Sequence, residues 1–301
     1  MIIQIFIILL VIILLIFLLK PIKITNNFNI LTENQNIKNK SRNIWVYWQN
    51  INRSTYPTII KLCMDTMKKY LSKYNLIILD ESSIKNYLPD LDDSMLDHMI
   101  IAHKVDYYRL ELLNKYGGIW IDSDIIIMRD FEPIWSKLDE GWDYVGFGCT
   151  GHTCSNGYSK PSNWVMASQP NGKLITKCLE KIKIKINSNK LNSDSKYPEY
   201  HDYGKYIIWD SIDELAIESN YKYYHFGSEY DGARDINSQW IHIPNFFSHN
   251  PTQFLDESKL IFVVLYNSEF KPDYLWVNDC EESRLTNGKE WICSLFRKSL
   301  K

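Results

Sequence analysis

The chain has 301 residues, 45% of them hydrophobic, and its 34 Lys and Arg nearly balance its 36 Asp and Glu for a net charge of −2. That balance excludes the basic footprint of a nucleic-acid-binding protein, so no nucleic-acid partner is expected. Six cysteines (Cys63, Cys149, Cys154, Cys178, Cys280 and Cys293) permit disulfides without declaring a redox compartment.

The N-terminal MIIQIFIILLVIILLIFLL is nineteen residues with Gln4 as its one polar interruption, enough to cross a hydrocarbon core as a helix. It has no small-residue cleavage site and is too long for a signal-peptide core, so residues 1–20 are expected to be an uncleaved transmembrane anchor. Lys20, Lys23, Lys38, Lys40 and Arg42 all follow the segment, which by the positive-inside rule places the rest of the chain in the cytosol. Residues 21–42 are polar, rich in Asn and Lys and aperiodic, the composition of a flexible stem. Residues 43–301, about 260, suit one large domain.

Ile44–Trp48 reads as a first strand, residues 57–74 as a helix with Pro57 at its permitted first turn, and Leu76–Leu79 as a second strand. Strand, helix, strand, then more helix and another strand predicts an α/β domain with a mostly parallel central sheet flanked by helices. In such sheets ligands gather beyond the carboxyl ends of the strands, where Trp48 and Asp122 both fall.

Residues 102–133, AHKVDYYRLELLNKYGGIWIDSDIIIMRDFEP, organise the remainder. Val105, Leu110, Leu112, Leu113 and Tyr116 give a helical apolar stripe, and Gly117 stands where a left-handed helix terminus belongs. Ile119–Ile121 is a buried strand, and Asp122-Ser-Asp124 follows it directly. In an extended chain residues i and i+2 face the same side, so both carboxylates address one point. Like charges held that close call for a cation between them, and a hard Mn²⁺ or Mg²⁺ suits carboxylate oxygen and phosphate together. Solvated turn aspartates are the bland alternative. Asp106 and Arg109 share one helix face, as a surface ion pair also would. His103 and Lys104 read as ordinary helix-surface residues.

HKVDYYRLELLNKYGGIWIDSD resembles the donor-site signature of DxD glycosyltransferases of the sugar-binding-region type. This family-32-like group includes capsular polysaccharide synthesis proteins, initiating mannosyltransferases of the yeast type and glucosylating clostridial toxins. Ala102, Asp106, Arg109, Leu113, Gly117, Gly118, Asp122 and Asp124 stand in register, with Trp120 in place of the usual Tyr. The resemblance implies a GT-A-like, Rossmann-related domain preceded by one transmembrane helix. It also implies a hexosyltransferase of the EC 2.4 class, using a UDP- or GDP-sugar donor and a glycan, lipid or protein acceptor, with retention of anomeric configuration.

By the same resemblance Asp122 and Asp124 are the catalytic, metal-holding pair, and Trp48 stacks on the donor's base, a core Trp being the competing reading. Asp106 would bind sugar hydroxyls, Arg109 the sugar or diphosphate, and Gly118 and Asn163 complete the substrate-binding set. Family habit puts such domains on the far side of the membrane from the one the charge bias favours, so the side stays open. A third metal ligand from the C-terminal region is implied, with His249 in Ser-His-Asn-Pro preferred over His225 and His242. The Gly-Ser-Trp ending of the toxin branch is absent. Asp202 and Asp210 fall in a segment that contacts acceptor in capsular-type relatives, although a helix cap accounts for Asp210 equally well.

Farther along, residues 143–148 read as a strand, 171–186 as a helix, Lys259–Leu265 as a late strand and the tail beyond Glu281 as helix. Cys149-Thr-Gly-His152-Thr-Cys154 lacks the second ligand pair of a zinc site, so plain thiols are expected there. A hydrolase using Asp122 and Asp124 as acid and base is disfavoured, because neighbouring carboxylates leave no room for a sugar between them. A non-catalytic, membrane-anchored nucleotide-sugar- or glycan-binding protein on the same fold is the alternative to the transferase.

Overall fold

Alternation along two short strands sets the architecture. In β1 (Asn43–Tyr47), Ile44 and Val46 enter one apolar cluster while Trp45 and Tyr47 enter another; in β3 (Gly118–Ile121), Ile119 and Ile121 divide from Trp120 in the same way. A strand with apolar side chains on both faces must be covered on both, so these strands lie at the centre of a layered α/β domain. The computed structural model describes residues 42–97, 99–148, 160–191, 199–249 and 255–301. The expected anchor (1–20), nearly all of the expected stem (21–42) and the Cys149–Cys154 segment lie outside them. Among the described residues no helix is long and apolar enough to cross a membrane.

After β1 come α1 (Thr58–Leu71), β2 (Asn75–Leu79), α2 (Ile101–Tyr116), β3 and β4 (Ile125–Ile127). They are followed by α3 (Glu132–Asp139), β5 (Tyr144–Phe147), β6 (Val165–Ser168), α4 (Lys173–Leu191), α5 (Lys205–Ser219) and β7 (Tyr224–Phe226). The last elements are β8 (Phe262–Val264) and α6 (Trp291–Leu300). Six strands form the main sheet in the order β2-β1-β3-β6-β5-β7, and β4 pairs with β8 in a separate two-stranded ribbon. One face of the main sheet packs on α1, α6 and the ribbon, the other on α2, α4 and α5.

The sheet is mostly parallel, as expected, with one strand reversed: β1, β2, β3, β5 and β7 share a direction. β1 runs parallel to β2 and β3, but β6 is antiparallel to both β3 and β5. The reversal has a consequence for position. Ile121 pairs with Val165, so the start of β6 meets the end of β3, and Asn163 and Trp164 arrive at the edge where Asp122 leaves the sheet. Extending the β1–β3 register, in which Trp45 is level with Trp120, brings Trp48 to that edge too.

The step from α2 into β3 depends on two glycines. Gly117 closes the helix at φ +65°, its N–H donating to the Leu113 carbonyl at 2.9 Å. Gly118 follows at φ +99°, and a Cβ there would lie 2.4 Å from the Asn43 carbonyl oxygen. Only glycine allows β3 to start so close to β1.

Candidate functional site

Asp122, Ser123 and Asp124 occupy the turn between β3 and β4, not an extended segment. The two carboxylates are therefore brought together by turn geometry rather than by strand alternation. Asp122 extends the sheet by one bond, its N–H donating to the Trp164 carbonyl at 2.9 Å, and its Oδ1 accepts from Trp120 Nε1 at 2.8 Å. Asp124 belongs to the ribbon: its carbonyl accepts from Leu265 N–H at 3.2 Å and its Oδ2 from Asn267 N–H at 2.8 Å.

Arg109 and Asp106 reach the turn from α2. The Arg109 guanidinium lies 3.2 Å from Asp106 Oδ1, 3.3 Å from Asp122 Oδ1 and 5.1 Å from the centre of the Trp120 ring, and it donates to the Asn163 carbonyl. Asn163 Nδ2 in turn donates to Asp106 Oδ1 at 3.0 Å. Arg109 and Asp106 are both buried, so this is no surface ion pair. Burial raises the Asp106 carboxyl to about 6 against the opposing charge of Arg109. Burial also raises Asp122, again opposed by Arg109, although 30% of its side chain stays exposed. Asp124 rises to about 6 through burial and then through the charge of Asp122, with the Asn267 N–H opposing. An acid raised by the charge of its neighbour fits a cation between the two.

Three further residues carry no signal that reasoning from the sequence had picked out. Asn267 lies at the start of a short 3₁₀ turn after β8; besides donating its N–H to Asp124, it has a buried Oδ1 with no partner in the protein. Gly204 caps α5 where a Cβ would meet Asn163 Nδ2 at 2.5 Å and both Asp106 carboxylate oxygens at 3.0 Å. Tyr200 donates its hydroxyl to Ser268 Oγ at 3.3 Å; burial raises its pKa, Ser268 opposes, and the charges of Asp122, Asp106 and Asp124 add to the rise.

The remaining sequence candidates divide. Trp48 lies just past β1, packed against the core and donating from Nε1 to Asn50 Oδ1 at 2.8 Å, whereas Trp45 is core. Gly118 is at the opposite end of β3 from Asp122, where strand packing explains it. His249 is 68% exposed and faces Glu290 at 3.8 Å. Asn267 is the C-terminal residue that reaches Asp124 instead. His225 lies on β7 and His242 caps the short helix Ile243–Phe246. Asp202 pairs with Lys185 at 3.3 Å, and Asp210 is exposed on α5. His103, expected on the surface, is buried edge-on to Tyr203 at 4.8 Å.

Among the described residues no three His, Cys, Asp or Glu side chains converge as a metal-holding group. The turn carries two carboxylates, Asp122 and Asp124, oxygen ligands that suit a hard divalent cation, and Asn267, whose N–H binds Asp124, has an unpartnered side-chain oxygen. Together with the buried Asp106–Arg109–Asn163 network, the turn forms an acidic cluster whose chemistry suits a cation and a polyhydroxylated, anionic ligand.

Comparison with known proteins finds relatives in sequence and in structure. O-glycosyltransferase braB of Annulohypoxylon truncatum is 24% identical over 112 residues, 33% of this chain and 27% of that protein. O-glycosyltransferase PaGT of Phomopsis amygdali is 21% identical over 146 residues, 44% of this chain and 36% of that protein. The chain thus matches about a third of the length of these curated relatives. The solved glycosyltransferase GlyE of Streptococcus pneumoniae TIGR4 is 14% identical at a TM-score of 0.41, over 87% of this chain and 65% of that one. The family model described as capsular polysaccharide synthesis protein matches residues 14–194, more than half of the chain and the whole segment from β1 through the acid turn to α4. The chain belongs to the capsular polysaccharide synthesis protein family.

Proposed function

We propose that the chain is a metal-dependent hexosyltransferase that moves a sugar from a UDP- or GDP-linked donor to a glycan, lipid or protein acceptor, with retention of anomeric configuration. One observation carries the reading: the acid pair stands in a turn gripped from α2 by Arg109 and from the β8 loop by Asn267. Asp122 and Asp124, with Asn267 beside them, would hold Mn²⁺ or Mg²⁺, which would supply Lewis-acid neutralisation of a diphosphate leaving group. Arg109 keeps Asp122 and Asp106 charged and aimed, and Asn163 fixes Asp106 so that it accepts hydrogen bonds from donor-sugar hydroxyls. Trp48 offers a flat ring beside that edge for the base.

In the transfer itself the bond from the anomeric carbon to the phosphate oxygen breaks. A bond from that carbon to the acceptor hydroxyl oxygen forms on the same face. The hydroxyl proton passes to the departing phosphate oxygen, since no carboxylate here stands apart as a nucleophile. We also read residues 1–20 as a membrane anchor and 21–42 as its stem.

The test is release of nucleoside diphosphate from a panel of nucleotide sugars, with and without Mn²⁺. Metal-dependent turnover of one donor is expected, falling on the order of 10²–10³-fold in Asp124→Asn. Absence of metal-dependent turnover by the wild type with every donor overturns the enzyme reading and leaves a binding protein.

A further inference from the structure

On the β8 side of the acid turn, three aromatic rings meet. Tyr266 lies 5.1 Å from Trp240 and 5.6 Å from Trp164, and the two indoles are 6.3 Å apart. Tyr266 is held at φ +54°, a left-handed conformation that a bulky residue seldom adopts and that directs its ring toward this cluster. Trp240 arrives on a hairpin closed by Ile241 N–H to the Ala233 carbonyl at 3.0 Å and Asp235 N–H to the Gln239 carbonyl at 2.8 Å. It keeps 37% of its surface exposed, with the Arg234 guanidinium 5.4 Å from its ring.

Polar atoms without partners gather around these rings. Trp164 Nε1, Arg234 Nε, Tyr266 OH and Asp231 Oδ2 are all buried with no hydrogen-bond partner in the protein. Asp231 is wholly buried, its other oxygen accepting from Ala233 N–H at 2.8 Å, and it lies within electrostatic reach of the Tyr266 hydroxyl and the Arg234 guanidinium. Native proteins leave few such atoms unpaired, and a cluster of them points to an absent polar partner. The cluster is also continuous with the acid turn. The Trp164 carbonyl accepts from Asp122 N–H, and Tyr266 directly precedes Asn267.

We propose that this cluster is the acceptor subsite and that the acceptor is a carbohydrate. The C–H face of a pyranose would lie on Trp240, with its hydroxyls between the rings. Each sugar hydroxyl both donates and accepts. It therefore matches a site that presents donors (Trp164 Nε1–H, Arg234 Nε–H) and two groups that can both donate and accept, the Tyr266 hydroxyl and the protonated Asp231 carboxyl. An alkyl chain would satisfy the rings and leave every one of these polar atoms unpaired, which disfavours a lipid tail here. An outward swing of the hairpin that carries Trp240 admits the sugar to the buried atoms.

The inference rests on the transferase reading for the name acceptor, but its test does not need turnover. Saturation-transfer NMR on the full chain, without donor or metal, uses maltose, cellobiose, chitobiose and α-mannobiose as probes, with dodecyl phosphate and a Ser/Thr-rich peptide alongside. At least one disaccharide should show transfer to its ring C–H protons. Trp240→Ala should weaken that binding at least tenfold, and Tyr266→Phe, which keeps the ring, several-fold. Far-UV circular dichroism verifies that each variant is folded. No binding by any disaccharide, binding that Trp240→Ala leaves within twofold, or binding of only dodecyl phosphate or peptide each overturns the proposal. Failure of donor turnover in the earlier assay would remove the transferase and leave this glycan site standing.

Discussion

The two sides of the acid turn are built on opposite principles. On the α2 side every charge has a mate, and Arg109 Nε is the one buried polar atom of the network without a hydrogen bond: Arg109 lies against Asp106 and Asp122, and Asn163 bonds to Asp106 and takes Arg109 on its carbonyl. On the β8 side Asp231, Tyr266, Trp164 and Asn267 each hold a buried polar atom without a partner. A satisfied network is rigid and specifies one geometry, whereas an unsatisfied one gains most when something else supplies the missing bonds. The difference separates a side that positions from a side that receives.

Four substitutions break or sharpen that contrast. Arg109→Met should have the largest effect, because it strands two acids that share one cation. A loss of about 3–5 kcal/mol in urea unfolding at neutral pH is expected, as for the removal of one partner from a buried pair. Next, Asn267→Ala should lower the apparent Mn²⁺ affinity about 10–100-fold, measured by titrating the metal in the donor assay, while the urea midpoint moves little. Gly204→Ala should press a methyl group into Asn163 and Asp106 and cost about 1–3 kcal/mol, with a raised donor KM. A wild-type donor KM in that variant would mean that the network yields easily and is not the rigid side.

The last effect, at Asp231, is read as a slope of stability with pH. Burial lifts its carboxyl to about 8, so the folded chain holds a proton there that the unfolded chain has already released above the ordinary carboxylate range. Its contribution to stability is therefore complete below about pH 4 and declines as pH rises to about 8. Asp231→Asn should flatten that part of the stability–pH curve in chemical denaturation at several pH values. An unchanged slope would place the proton elsewhere.

Much of the positioning side could be read in the chain itself, because it is local. Asp106, Arg109, Gly117 and Asp122 lie within one helix, one stop and one strand, and their spacing carries the geometry. The receiving side could not. Asn267 meets Asp124 across 143 residues, and nothing in Tyr-Asn-Ser after an apolar strand marks it as a partner. His249 drew attention as a loop histidine, yet chain folding sets it beside Glu290. The direction of β6 was also hidden, since a four-residue buried strand reads the same either way. His103 seemed a surface residue by helical phase, but Tyr203, from a distant segment, covers it.

The chain leaves the six-stranded sheet at Ile121 and enters the ribbon at Ile125, so the paired acids form the seam between two separately bonded layers. Any shear of one layer over the other changes the gap between the carboxylates before it disturbs a single strand pairing. An ion bridging them would act as a rivet. It would lock the ribbon, and with it Tyr266, to the sheet at whose edge Asp122 stands.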